Sequence, residues 1–281
     1  MILDNKTAVI TGGSRGLGIH VASAFIKSGI TNLIIIARKQ DELEKSLIHF
    51  NAIKISKYQN ILIHPCDISS HLELEILLNF FKDRFNKLDI LVNNASSFGP
   101  IGFFEDVNFD DWLETVNVNY IGTARVIKHF LPFLKKSIRA KIINIVGGGA
   151  SKPYGCLSGY ATSKVAVVRF TEELASELAK YNIDVNCLAP GPLNTRFVKK
   201  MLSVGEQVLG KELYKAICDI DKFGGTPMEI PSELCCYLAS NNSNGITGKM
   251  LSARYDDWKN FPKNKSKMSS SDIYTLRRKN T

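Results

Sequence analysis

Thr7-Ala-Val-Ile-Thr11-Gly12-Gly13-Ser14-Arg15-Gly16-Leu17-Gly18 is the stretch that decides the fold. Thr7 to Thr11 is a short apolar run of the kind a buried strand makes. Glycines follow at 12, 13, 16 and 18, and a helical pattern then runs to about Lys27. Strand, glycine-rich turn and helix in that order build a phosphate-binding crossover. The glycines let the backbone approach a pyrophosphate, and the start of the helix offers unpaired N–H groups and partial positive charge. The spacing is Gly-x-x-x-Gly-x-Gly rather than the commoner Gly-x-Gly-x-x-Gly. Gly12, Ser14, Arg15, Gly16, Leu17 and Gly18 are the candidate cofactor contacts in this turn.

The alternation continues outward. A second strand, 32–37, ends in Arg38. In this architecture the residue there meets the adenosine ribose. An acid would accept hydrogen bonds from a free 2′-hydroxyl, whereas an arginine matches a 2′-phosphate. Positions 36–39 hold no acid, and Arg15 is a second phosphate partner, so NADP(H) is favoured over NAD(H). A helix over 41–58 and a strand over 61–64 precede Asp67, which either reaches an adenine edge or, with Ser69, caps the next helix. A strand over 88–92 leads into Asn93-Asn94-Ala95-Ser96, small polar residues suited to packing beside a cofactor. The pattern then gives a loop, a long helix over 110–136, a strand over 141–146 ending in Gly147-Gly148-Gly149, a helix over 157–181 and a strand over 183–188. A glycine-interrupted helical segment (193–223), a last helix (231–239) and a short strand (249–251) follow. Strands alternating with helices require a parallel sheet covered on both faces. The expected fold is α/β: one doubly wound Rossmann domain over 1–255, seven parallel strands in order 3-2-1-4-5-6-7. A polar, basic tail over 256–281 is expected to pack loosely, although Ile273-Tyr274-Thr275-Leu276 could dock.

Within the helix over 157–181 lies Tyr160-Ala-Thr-Ser-Lys164. Residues four apart on a helix share a face. The ammonium of Lys164 therefore faces the same space as the phenol and is expected to lower its pKa, which suits the tyrosine to proton transfer.

Composition narrows the class. The chain has 281 residues, 44% hydrophobic and 22% charged, values of a soluble globular protein. No stretch approaches the roughly 20 apolar residues of a membrane helix, and no signal-peptide core is visible, so a cytoplasmic location is expected. The six cysteines form no Cys-x-x-Cys pair, and neither metal nor disulfide is expected. The net charge of +9 owes much to seven Lys or Arg from Lys259 to Lys279 against one acid, Asp272. It need not imply nucleic acid.

In combination these elements resemble the short-chain dehydrogenase/reductase family over about residues 5–253. The resemblance rests on Thr11 to Gly18, Asp67, Asn93 to Ala95, Asn119, Tyr160 with Lys164, and Pro190-Gly191 with Thr195. It implies that Tyr160 is the acid/base, that Lys164 holds the nicotinamide ribose, and that Asn119 holds a water in the proton relay. It places Pro190, Gly191 and Thr195 around the nicotinamide, Asp67 at adenine, and Asn94 and Ala95 on the adenosine side. It also implies homodimers or homotetramers, with Ala124, Val126, Ala161, Val165 and Ala166 as contact candidates.

One position departs from the family. Thirteen residues before the tyrosine, where a serine usually hydrogen-bonds the substrate oxygen, stands Gly147. The expected activity is NADP(H)-dependent hydride transfer to a carbonyl or from a secondary alcohol. Arg196, Lys199, Lys200 and Lys211 after Thr195 suit a phosphorylated or nucleotide-linked sugar. Gly147 keeps open two alternatives: a non-catalytic NADP-binding sensor or scaffold, and an epimerase without net redox change.

Overall fold

The computed structural model describes residues 1–269 and 271–278. Seven strands, β1 (Thr7–Thr11), β2 (Asn32–Ala37), β3 (Asn60–Pro65), β4 (Ile90–Asn93), β5 (Ala140–Ile145), β6 (Ile183–Ala189) and β7 (Met250–Ser252), form one sheet. Its order is 3-2-1-4-5-6-7, and each neighbouring pair is parallel. Between the strands lie α1 (Gly16–Lys27), α2 (Gln40–Ala52), α3 (His71–Lys82), α4 (Phe109–Val116), α5 (Thr123–Leu134) and α6 (Ser158–Leu178). After β6 come α7 (Arg196–Leu209), α8 (Lys211–Phe223) and α9 (Glu229–Ala239), and α10 (Phe261–Ser269) follows β7.

Side chains alternate across a strand, and that alternation divides the core. Ile10, Leu33 and Ile35 pack with Val21 and Phe25 of α1 and Leu234 of α9. Val9, Ile34 and Ile36 face the opposite layer with Leu77 and Phe81 of α3, Phe130 of α5 and Leu174 of α6. All residues of β1 and β5 are buried, as central parallel strands covered on both faces require. The strand order reverses between β1 and β4, and a crevice opens at their carboxyl ends.

Three local readings differ, and the glycine breaks after β6 fall where expected. The helix expected to run to residue 58 stops at Ala52. The helix expected over 110–136 is interrupted by a π turn, Asn117–Gly122, which re-aims side chains at a functional site; here it leaves Asn119 wholly buried. The glycine-interrupted segment forms α7 and α8, broken at Gly205 and ended by Gly210 and Gly224 at positive φ. Much of the described segment after 256 is not loose. Trp258, Phe261 and Met268 are buried in the main core with Tyr274 packed against it. Met250 N–H donates to Tyr274 O at 2.8 Å, and Leu276 N–H to Glu172 Oε1 at 3.0 Å. Lys279 lies outside the described residues. Among the described residues, no helix is long and apolar enough to cross a membrane.

Candidate active site

The crevice is a cleft of about 1320 Å³ lined from both halves of the sheet. Small-ligand sites run roughly 300–1,000 Å³, so a dinucleotide and a second small molecule fit side by side. Gly12, Ser14, Arg15, Gly16, Leu17, Arg38, Asp67, Asn94, Ala95, Tyr160, Lys164, Pro190, Gly191 and Thr195 all line it. Gly18 and Asn119 stand behind the wall.

At the floor, the turn after β1 is locked to the turn after β4. Asn94 Nδ2 donates to Thr11 O (3.0 Å) and Gly12 O (2.9 Å), while Thr11 Oγ1 accepts from the N–H groups of Asn94 and Ala95, both at 3.1 Å. A Cβ on Gly18 would lie 2.2 Å from Gly12 O and 2.6 Å from Asn94 Nδ2. Asn94 and Gly18 therefore shape the cradle. No side chain caps the first turn of α1, so its orphan N–H groups are free for an anion. That is the chemistry a pyrophosphate needs, and the residues fit a nicotinamide dinucleotide.

Beside Arg15 and Arg38 the cleft holds an acid that the residues at the end of β2 did not reveal. Glu42, from the first turn of α2, accepts from Arg15 Nη1 at 3.2 Å, with Lys39 Nζ and Arg196 Nη1 each 3.9 Å away. Arg38 Nη1 lies 3.8 Å from Asp67 Oδ2. Asp67 Oδ1 also accepts from Ser69 N–H (2.9 Å), but the cap of α3 is Ser70, accepting from Glu73 N–H at 3.3 Å.

Tyr160 and Lys164 lie one turn apart on α6, both buried. Lys164 Nζ donates to Ile145 O at 3.0 Å and sits 5.7 Å from the Tyr160 ring centroid. Burial pulls the ammonium down to about 8. The expected lowering of the tyrosine pKa is overturned. Burial dominates and pushes the Tyr160 phenol up, with the nearby Tyr154 charge adding in the same direction. Loss of water around the phenolate outweighs the help of a cation that is itself desolvated. Asn119 is a bracket: Nδ2 donates to Ser97 O (2.8 Å) and Ser163 Oγ (3.0 Å), and Oδ1 accepts from Ser97 N–H (2.7 Å) and Ser96 Oγ (3.0 Å). Its carbonyl accepts from Thr123 Oγ1 at 2.8 Å.

Above Tyr160 the wall is apolar. Val198, Met201, Leu209 and Ile217 form a buried cluster with Tyr160. Phe98 stacks on Phe197 with ring centroids 3.8 Å apart and planes 12° apart, and lies 5.1 Å from the Tyr160 ring. Tyr154 also lines the cleft. The sequence signal for this chamber was the amphipathic pattern of 196–223, which specifies a buried face but not what that face covers. Thr195 caps α7, its Oγ1 accepting from Phe197 N–H at 3.4 Å. Of the proposed contact residues on α5 and α6, Val165 is 41% exposed, whereas Val126 is 0% exposed and belongs to the core.

A doubly wound sheet, a glycine cradle at its switch point and a buried tyrosine–lysine pair define a nicotinamide-dependent oxidoreductase. A family model described as short chain dehydrogenase matches residues 6–204. The chain belongs to that family, whose members are NAD(P)-dependent and act on CH–OH and C=O groups. It is 28% identical over 250 residues to momilactone A synthase of Oryza sativa subsp. japonica, covering 89% of this chain and 88% of that one. It is 28% identical over 249 residues to dehydrogenase/reductase SDR family member 4 of Bos taurus, covering 89% and 86%. Among solved structures, a variant of actinorhodin polyketide ketoreductase with NADPH superposes with a TM-score of 0.78 at 26% identity, covering 88% of this chain and 95% of that one.

Proposed function

We propose that the protein is an NADP(H)-preferring reductase of a carbonyl, or dehydrogenase of the matching secondary alcohol, borne on a largely apolar body. When bound, the cofactor supplies or accepts the hydride. The Gly12–Gly18 turn and the first amides of α1 hold the pyrophosphate. Asp67, Asn94 and Ala95 flank the adenosine, and Pro190, Gly191 and Thr195 border the nicotinamide. Lys164 binds the ribose and, while protonated, favours negative charge on Tyr160. Tyr160 passes the proton to or from the substrate oxygen, and Asn119 anchors the water that relays it. The observation that carries this reading is the Tyr160–Lys164 pair buried on α6 at the junction of the cradle and the apolar chamber.

Arg15 and Arg38 support the NADP preference, and a solved neighbour contains NADPH. Glu42 competes with it, because a 2′-phosphate must displace that carboxylate from Arg15. The apolar body is favoured by Phe98, Phe197, Met201 and Ile217 around the tyrosine. A phosphorylated or nucleotide-linked sugar is the second reading, supported by Lys199 and Lys211. It is weakened because Lys200 Nζ is bonded to Gly99 O and Arg196 faces Glu42. Family membership disfavours the sensor and epimerase readings. We further propose a homodimer or homotetramer built on α5 and α6, where Val165 is exposed beside Ala161 and Ala166.

Calorimetry with NADPH and NADH, then NADPH oxidation against cyclic ketones and keto-sugars, tests the reading. Tighter NADPH binding and turnover that falls roughly 10²–10⁴-fold in Tyr160→Phe, the range of a lost general acid, are expected. Tighter NADH binding would overturn the cofactor preference. Turnover of keto-sugars in preference to cyclic ketones would overturn the apolar substrate.

A further inference from the structure

The first two glycines after β5 are a trough for two phenols. A Cβ on Gly147 would lie 2.5 Å from Tyr160 Oη. A Cβ on Gly148 would lie 2.2 Å from Tyr154 Oη. Real Cβ atoms do not approach that closely, so the hydroxyls of both tyrosines occupy space that only glycine leaves. Tyr154 and Tyr160 both border the substrate cleft with Gly147 and Gly148 between them. The Tyr160 hydroxyl is assigned to proton transfer. The Tyr154 hydroxyl has no hydrogen-bond partner among the described residues, and it is not sealed away from solvent.

Nearby serines are committed elsewhere. Ser158 Oγ accepts from Trp112 Nε1 at 3.0 Å, and Ser151 Oγ donates to Gly148 O at 3.2 Å. Ser158 does not line the cleft, and Ser151 would have to leave its partner to donate to a substrate. Tyr154 would not.

We infer that Tyr154 is a second catalytic phenol, donating a hydrogen bond to the substrate oxygen in the role left empty at Gly147. This rests on the reductase reading above. The balance is simple. The carbonyl carbon takes up a hydride from the reduced nicotinamide, its oxygen takes the Tyr160 proton, and Tyr154 keeps its own proton while its O–H steadies the developing charge. A donor of this kind must stay neutral to be useful, and burial raises the Tyr154 phenol above its ordinary range. The longer reach of a phenol suits it to act from six residues before Tyr160, where a serine would fall short.

Tyr154→Phe removes one oxygen that holds nothing in the protein, so the variant keeps its fold. With NADPH and 1-tetralone as the probe ketone, kcat/KM is expected to fall about 10²–10³-fold, the loss seen for one oxyanion donor. The NADPH dissociation constant by calorimetry and the melting temperature stay at wild-type values. The loss is expected in kcat rather than in KM, because the bond strengthens as charge develops on the substrate oxygen. A variant within threefold of wild type, in an enzyme that does reduce the ketone, overturns the role of Tyr154 and leaves the reductase reading standing. A loss confined to KM also overturns it, because the hydroxyl would then bind the ketone without steadying the developing charge. A wild-type protein that binds NADPH yet oxidises none of it with any ketone overturns the reductase reading and this role with it.

Discussion

Two glycine-rich turns lie at the carboxyl ends of parallel strands, and they are glycine-rich for opposite reasons. In the turn after β1, the space beside Gly18 and Gly12 is filled by backbone and by Asn94, within 2.2–2.9 Å of where a Cβ would stand. Glycine there lets the chain approach itself. In the turn after β5, the space beside Gly147 and Gly148 is filled by the ends of Tyr160 and Tyr154. Glycine there lets side chains approach the chain. The first turn is a scaffold and the second is a mould. A glycine is therefore interpretable only through what occupies its missing side chain.

The contrast can be broken most severely at the scaffold. In Gly18→Ala the new methyl meets a carbonyl that cannot retreat. Overpacking of this kind costs about 1–3 kcal/mol, or several degrees of melting temperature in a domain of this size. NADPH affinity is expected to fall more than about 100-fold, because the cradle opens by tenths of an ångström at the pyrophosphate. Wild-type affinity by calorimetry would mean that the close approach is not needed.

At the mould the effect is smaller and its sign is the informative part. Gly147→Ser restores the residue the family usually carries, and a reading by family alone expects a gain. The structure predicts a loss of about tenfold in kcat/KM with NADPH affinity preserved, because the added Cβ displaces the Tyr160 hydroxyl. Faster turnover in that variant would show that Gly147 is a defect and not an accommodation.

The smallest effect concerns charge. Burial holds Lys164 near 8 instead of its ordinary 10.5, while the Tyr160 phenol is pushed up. Below pH 8 the ammonium is charged, and above it the charge is lost while Tyr160 still holds its proton. Carbonyl reduction is therefore expected to decline as pH rises through about 8. A pH profile of kcat/KM that stays level from pH 7 to 9 would contradict this.

Much of the frame was legible because it depends on local pattern. The apolar runs of β1, β2 and β5, their alternation with helices and the Tyr160–Lys164 spacing are properties of neighbouring residues, and together they yield the sheet order. What escaped depends on distant residues meeting. Glu42 reaches Arg15 from the next helix, so inspection of 36–39 could not find it. The π turn at 117–122 interrupts an apolar periodicity that reads as unbroken. Tyr154 gains meaning only from the glycines it fills, and Phe98 only from Phe197, 99 positions later in the chain. The polar composition of 256–281 hid Trp258, Phe261 and Met268, three apolar anchors spaced too irregularly to register as a helix face. The tyrosine pKa was misjudged because spacing reports a neighbouring charge but not the water both groups lose.

The pair of rings formed by Phe98 and Phe197 has a consequence for which molecules are admitted. Parting such a stack forfeits roughly 0.5–1.5 kcal/mol beyond the area it buries. A broad, flat guest that replaces one ring with its own recovers that contact, whereas a slender one either slips by without disturbing it or holds it open for nothing. On the reductase reading proposed above, the two phenylalanines are therefore expected to sort guests by breadth rather than by polarity, to the disadvantage of the smallest ketones.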